Sequence, residues 1–164
     1  MGQVKQALRE AEQRLAAVSD TARLDAELLM AHALGVERQT LLLDPTRFAV
    51  PPGFAPLVER RLASEPVAYI LGYRDFWTIR LAVGPGGLIP RPDSETLIEA
   101  ALAHFGARAP RHILDLGTGP GTLLLAAMSE WPDATGLGID ASETALGYAR
   151  ANIAALGLDG RAAV

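Results

Sequence analysis

From His112 onward the chain alternates short apolar runs with helix-length segments, and few folds accept that order. His112-Ile113-Leu114-Asp115-Leu116 reads as a buried strand, Gly117 to Gly121 as a tight loop, and Thr122 to Glu130 as an apolar helix. Thr135 to Asp140 reads as a second strand. Ser142 is placed to cap a helix with Leu146, Ala149, Ile153 and Leu156 inward, and Arg161 to Val164 starts a third strand. This order predicts a parallel sheet with right-handed crossovers. Ligands of such sheets bind at the carboxyl ends of the strands, where strand order reverses. The first strand supplies one wall of that crevice, and the second wall is expected from a strand after Val164. On that ground the chain reads as a fragment of a longer protein.

The first 72 residues follow a different period. Val4, Leu8, Ala11, Leu15 and Val18 recur at steps of four and three, one apolar helical stripe. Thr21 is placed to cap a second helix, with Asp25 and Glu27 near its positive end and Leu24, Leu28 and Leu29 as its buried face. Gly35 reads as its stop. A short helix is expected over 37–43, closed by Asp44-Pro45, and Val50 to Gly53 reads as a loop. Phe54, Leu57, Val58 and Leu62 mark a further helix, and Pro66 opens a short one ending at Gly72. Arg60 beside Arg61 reads as a solvated helix face. A helical bundle follows.

Between the two lies strand composition. Asp75 to Val83 reads as one strand, Gly84-Pro85-Gly86-Gly87 as the turn, and Leu88-Ile89 as the returning strand. Phe76 and Trp77 read as anchors of that hairpin. Asp93 or Ser94 is placed to cap a helix with Leu97, Ile98, Ala101, Leu102 and Phe105 inward.

Charge and cysteine content narrow the chemistry. The net charge is -4 and the pI about 5.3, with no basic face, so a nucleic-acid substrate is disfavoured. Cysteine is absent, which excludes disulfides and thiolate metal sites and suits a cytoplasmic location. Nothing resembles a membrane span, and the first residues do not read as a signal peptide. His32, His104 and His112 share no ligand spacing, so no metal is assigned.

The candidate ligand site is Gly117-Thr118-Gly119-Pro120-Gly121. Glycines between a strand and a helix let backbone approach a ligand closely, and the helix start offers free N-H groups and a positive dipole end. Asp140 closes the next strand, where an acid can accept the hydroxyls of a ribose. A dinucleotide fingerprint needs a third glycine at Thr122 or Leu124, and neither frame supplies it. What stands from Asp115 to Gly121 resembles the first motif of class I S-adenosylmethionine-dependent methyltransferases.

Four separated segments sharpen the resemblance. Leu24 to Leu29, Pro66 to Gly72 followed by Asp75-Phe76-Trp77, Leu88 to Glu95, and Asp115 to Gly121 together resemble the peptide chain release factor N5-glutamine methyltransferase family, also called the HemK family. The resemblance implies an α/β protein: an N-terminal helical bundle, a β-hairpin linker, and the first half of a class I (Rossmann-like) methyltransferase domain. It divides the chain into a helical substrate-recognition domain at 1–72, a hairpin linker at 73–92 and a partial cofactor domain at 93–164. Methyl transfer from S-adenosylmethionine, giving S-adenosylhomocysteine, to the glutamine side-chain amide in the Gly-Gly-Gln loop of release factors is the implied activity. The implied partners are release factors, with no direct nucleic acid and no membrane. Gly117, Thr118, Gly119, Pro120, Gly121 and Asp140 would hold the cofactor. Arg91, Pro92, Ser94 and Glu95 would lie beside the active site, with pairing of Arg91 to Asp93 or Glu95 as a structural alternative.

The chain departs from the family in three ways. Pro120 stands where the family more often has serine, which removes one N-H donor. Ser94 replaces the usual threonine. The family's Asn-Pro-Pro-Tyr motif is not among residues 1–164, so the catalytic acceptors of the amide are unassigned and these residues alone are expected to be inactive. Three other functions compete: glutamine methylation of a ribosomal protein, a dinucleotide oxidoreductase, and a non-catalytic binding module carried by the helical half.

Overall fold

A computed structural model describes residues 2–164. The chain forms two compact units, Met1–Leu71 and Gly72–Val164.

The first unit is helical: α1 (Gln3–Leu15), α2 (Ala22–Leu34), α3 (Arg38–Leu43), α4 (Phe54–Leu62) and α5 (Val67–Leu71). The α1 stripe is buried as its period predicts, at Val4, Leu8, Ala11 and Leu15. Gly35 ends α2 in the left-handed region at φ 67°, where its N-H reaches back to Ala31 and His32. The buried face of α2 is not the expected one. Leu24 is exposed, and Ala22, Asp25, Ala26, Leu29 and Met30 turn inward. Thr21 occupies the cap position without capping; its hydroxyl donates to Asp25 at 3.2 Å instead. Asp25 and Glu27 are buried because each meets arginine. Arg61 Nε lies 2.8 Å from Asp25, and Glu27 joins Arg23 at 2.5 Å and Arg38 at 2.7 Å. Arg61 is therefore no solvated residue: its guanidinium also donates to the Val18 and Glu65 carbonyls.

The second unit opens with a hairpin, β1 (Tyr73–Phe76) and β2 (Ile79–Ala82). Asp75 to Val83 is thus two strands and not one, and the turn falls at Trp77-Thr78. Trp77 takes a positive φ of 55° there, a conformation that its residue type does not signal. It is held by its N-H to Glu95 at 2.9 Å and its indole Nε1-H to Glu130 at 2.6 Å. Leu88-Ile89 is not a strand. The Gly84 to Gly87 turn packs on a later helix instead: a Cβ on Gly86 would stand 2.8 Å from Thr144 Cγ2.

Then follow α6 (Glu95–Phe105), β3 (His112–Leu116), α7 (Thr122–Glu130), β4 (Thr135–Ile139), α8 (Glu143–Ala155) and β5 (Ala162–Ala163). The three strands form one parallel sheet in the order β3, β4, β5, the α/β arrangement expected. Ser142 caps α8 by accepting from the Ala145 N-H. Leu97 of α6 is exposed; Ile98 alone of that helix is fully buried.

The sheet is half covered. Leu124 and Met128 of α7 lie over Gly136, so closely that a Cβ there would stand 2.8 Å from Leu124 Cδ1. On the other face Leu114 is 60% exposed and Leu116 71%, with Leu137 and Ile139 beside them in register. The expectation of a buried β3 is corrected: side chains alternate across a sheet, and only one face of this one is packed.

Candidate functional site

The carboxyl ends of β3 and β4 meet at the glycine loop. Three successive loop amides are turned onto β4. Gly117 N and Thr118 N donate to the Ile139 carbonyl at 2.7 and 3.0 Å, and Gly119 N donates to Asp140 Oδ2 at 2.8 Å. Positive φ at Gly117, Gly119 and Gly121 makes this winding possible (79°, 55° and 86°). A Cβ on Gly117 or Gly119 would meet no atom within 4 Å, so the loop backbone is open to a ligand. The first amides of α7 have no partner inside their own helix and add a positive dipole end.

Asp140 braces this loop. Oδ2 accepts from Gly119 and Oδ1 from Ser142, both at 2.8 Å. These bonds, Ser142's first, hold the carboxyl below the ordinary aspartate range. Each oxygen keeps further lone-pair capacity for hydroxyl donors. A carboxyl with a lowered folded pKa stabilises above its unfolded pKa and loses that contribution as pH falls through the folded value. The Gly119 amide resonance is therefore expected to titrate with an inflection below about 3.9, the ordinary aspartate value. An inflection at or above that value would show the brace to be absent in solution.

Thr118 is buried and its hydroxyl donates to Asp115 Oδ2 at 2.8 Å. Gly138 of β4 makes room for it, because a Cβ there would lie 2.8 Å from both Thr118 Cγ2 and Oγ1.

A cavity of about 130 Å³ lies against the loop. One wall is Asp115, Gly117, Thr118, Gly119, Pro120, Thr122 and Leu123; the other is Leu88, Ile89, Pro90, Arg91 and Ser94. Of the four residues expected beside the active site, Arg91 and Ser94 reach this cavity. Pro92 and Glu95 do not; the Glu95 carboxylate is turned to the Trp77 amide. Gly121 and Asp140 stand behind the cavity, as helix cap and loop brace. Arg91 is exposed and makes no ion pair with Asp93 or Glu95. Asp115, Leu88 and Ile89 are cavity residues that stand in the sequence motifs without an assigned site role, and Pro90 opens the segment expected beside the active site.

One participant went unseen in the sequence. Asn152 of α8 is 1% exposed, on a face otherwise built of Ala145, Ala149 and Ile153. Its Oδ1 accepts from Ala82 N at 2.7 Å, and its Nδ2 donates to the Ala82 carbonyl at 3.2 Å and the Pro120 carbonyl at 2.9 Å. Its partners are backbone atoms far away in the chain, which no periodicity announces.

The site resembles known proteins in sequence. Residues 6–72 match the PrmC N-terminal domain and residues 109–163 a methyltransferase domain. The chain is 45% identical over 137 residues to a release factor glutamine methyltransferase of Aliivibrio fischeri, covering 82% of this chain and 48% of that protein. Proteins of the same name from Rhodospirillum rubrum and Caulobacter vibrioides are 46% and 43% identical over 143 and 148 residues. Those matches cover 85% and 88% of this chain, and 44% and 51% of the relatives. The chain spans about half the length of these curated relatives.

Proposed function

We propose, for a chain that belongs to the family of release factor glutamine methyltransferases, that the Asp115 to Gly121 cleft holds S-adenosylmethionine for methylation of a glutamine side-chain amide in a release factor. The observation that carries this reading is the loop at the carboxyl end of β3, braced by the acid at the carboxyl end of β4. The residues fit the cofactor: an open glycine backbone, a helix start for its carboxylate, and Asp140 for ribose hydroxyls. When bound, the cofactor supplies an electrophilic methyl group on a sulfonium. Gly117, Thr118, Gly119, Pro120 and Gly121 shape its seat. Arg91 and Ser94 stand on the facing wall, and the Glu95 carboxylate next to Ser94 ties that segment to the hairpin turn at Trp77, with Pro92 between Arg91 and Ser94 in the same segment. Residues 1–72 serve substrate recognition, 73–92 act as a linker, and 93–164 carry the cofactor half-site.

An amide nitrogen is a weak nucleophile, because its lone pair is delocalised into the carbonyl. Methylating it requires acceptors that orient the NH2 group and offset developing positive charge. Residues 1–164 contain no Asn-Pro-Pro-Tyr to supply them. We therefore expect these residues to bind cofactor and transfer no methyl group by themselves. Titration calorimetry with S-adenosylhomocysteine and with NAD tests the first part: saturable heat from S-adenosylhomocysteine and none from NAD is expected. Tighter NAD binding would overturn the reading. Labelled methyl appearing in a purified release factor with residues 1–164 alone would overturn the second part.

A further inference from the structure

Asn152 lies outside the glycine loop and outside the cavity, yet both cavity walls hang from its side chain. One wall continues from Pro120, whose carbonyl accepts from Nδ2 at 2.9 Å. The other continues from Ala82, whose N-H and carbonyl are both taken by the same amide, at 2.7 and 3.2 Å. Six residues after Ala82 the chain enters the cavity at Leu88. The amide treats Ala82 as a neighbouring strand would, using one donor and one acceptor. Its remaining N-H goes to the loop.

Packing alone does not explain an asparagine here. The side chain is 1% exposed among alanine and isoleucine, where an apolar residue would pack without desolvating an amide. What the amide gains is a tie between segments that are 70 and 32 residues away from it in sequence. Pro120 has no N-H of its own, so its carbonyl is its one backbone hydrogen-bonding group. Asn152 holds that group.

We infer that Asn152 is a positioning residue, which fixes the spacing of the two cavity walls so that the glycine loop presents a ready-made seat to the cofactor. This rests on the cofactor reading above, and the test separates the two. Asn152→Leu is similar in volume and removes all three bonds; Asn152→Asp keeps the acceptor for Ala82 N and loses both donors. Losing a bond that preorganises the loop is expected to weaken S-adenosylhomocysteine binding about tenfold in both variants. Hydrogen exchange without ligand distinguishes positioning from general destabilisation. The Gly121 amide is expected to exchange faster in both variants, and the Ala82 amide in Asn152→Leu only, with the α7 amides of Leu125 and Ala126 unchanged. Unaltered affinity in the variants, or a uniform rise in exchange across the unit, would overturn the inference.

If wild-type protein binds no S-adenosylhomocysteine, the cofactor reading fails. Exchange at Ala82 and Gly121 then decides whether the walls are joined, and no change there overturns that too. Should both variants fail to fold, the wild-type Asn152 side-chain amide protons provide the readout. They are expected to exchange more slowly with S-adenosylhomocysteine bound, and an unchanged rate would count against the inference.

Discussion

Arg61→Ala is expected to cost the helical unit about 3 kcal/mol, the range for leaving a buried charge without its partner. Arg61 and Asp25 are 15% and 8% exposed in their side chains, with Nε 2.8 Å from Oδ2. Among the described residues, removing the guanidinium leaves Asp25 the Ser19 and Thr21 hydroxyls, at 2.8 and 3.2 Å, to solvate its charge. It also strips a donor from the Val18 carbonyl, at the turn between α1 and α2. The double variant Asp25→Leu with Arg61→Met is expected to recover most of the loss, because the apolar pair carries no desolvation cost. Urea unfolding followed by circular dichroism reads both. A loss for Arg61→Ala below about 1 kcal/mol, the value of an exposed pair, would show that the pair is solvated.

Gly138→Ala is expected to do most damage at the site itself. Its new methyl would stand 2.8 Å from Thr118 Cγ2 and Oγ1, and Thr118 is buried against Asp115. The neighbour is no flexible chain end, so the loop has to move. A stability loss of about 1–3 kcal/mol is expected from overpacking. Affinity for S-adenosylhomocysteine is expected to fall further than in the Asn152 variants, since the seat itself is displaced. Adding Thr118→Gly removes the colliding atoms and is expected to restore stability to near that of Thr118→Gly alone. Unfolding midpoints and calorimetric titration of the three variants check this; unchanged affinity in Gly138→Ala would show that the loop tolerates the shift.

Both results bear on how much of the molecule can be read from residues alone. Helix and strand order from β3 to β5 was legible because the periods are clear and the caps chemically explicit, as at Ser142. The left-handed stop at Gly35 was legible for the same reason. The hairpin was misread because glycine and proline at 84–87 mark a turn more loudly than Trp77-Thr78 does. Trp77 adopts its positive φ through bonds to Glu95 and Glu130, which lie 18 and 53 residues away. Leu24 and Leu97 were misplaced because hydrophobicity ranks side chains without knowing which face meets a neighbour. Asp25 displaced Leu24 inward only because Arg61, 36 residues on, neutralises it. The glycine loop was visible as a motif. Its brace by Asp140, its clearance at Gly138 and its tether to Asn152 are three-dimensional, and each joins atoms distant in the chain.

The placement of the two tryptophans has an optical consequence. Trp77 at the hairpin turn and Trp131 at the end of α7 both belong to the second unit, and the chain has no others. Indole emission therefore reports only that unit, while the helical unit is dark at the same wavelengths. Unfolding of the helical unit is read in the far-ultraviolet signal, whereas unfolding of the second unit, as tested with Gly138→Ala, is expected to move the indole emission as well. Each half of the chain thus carries its own spectroscopic address.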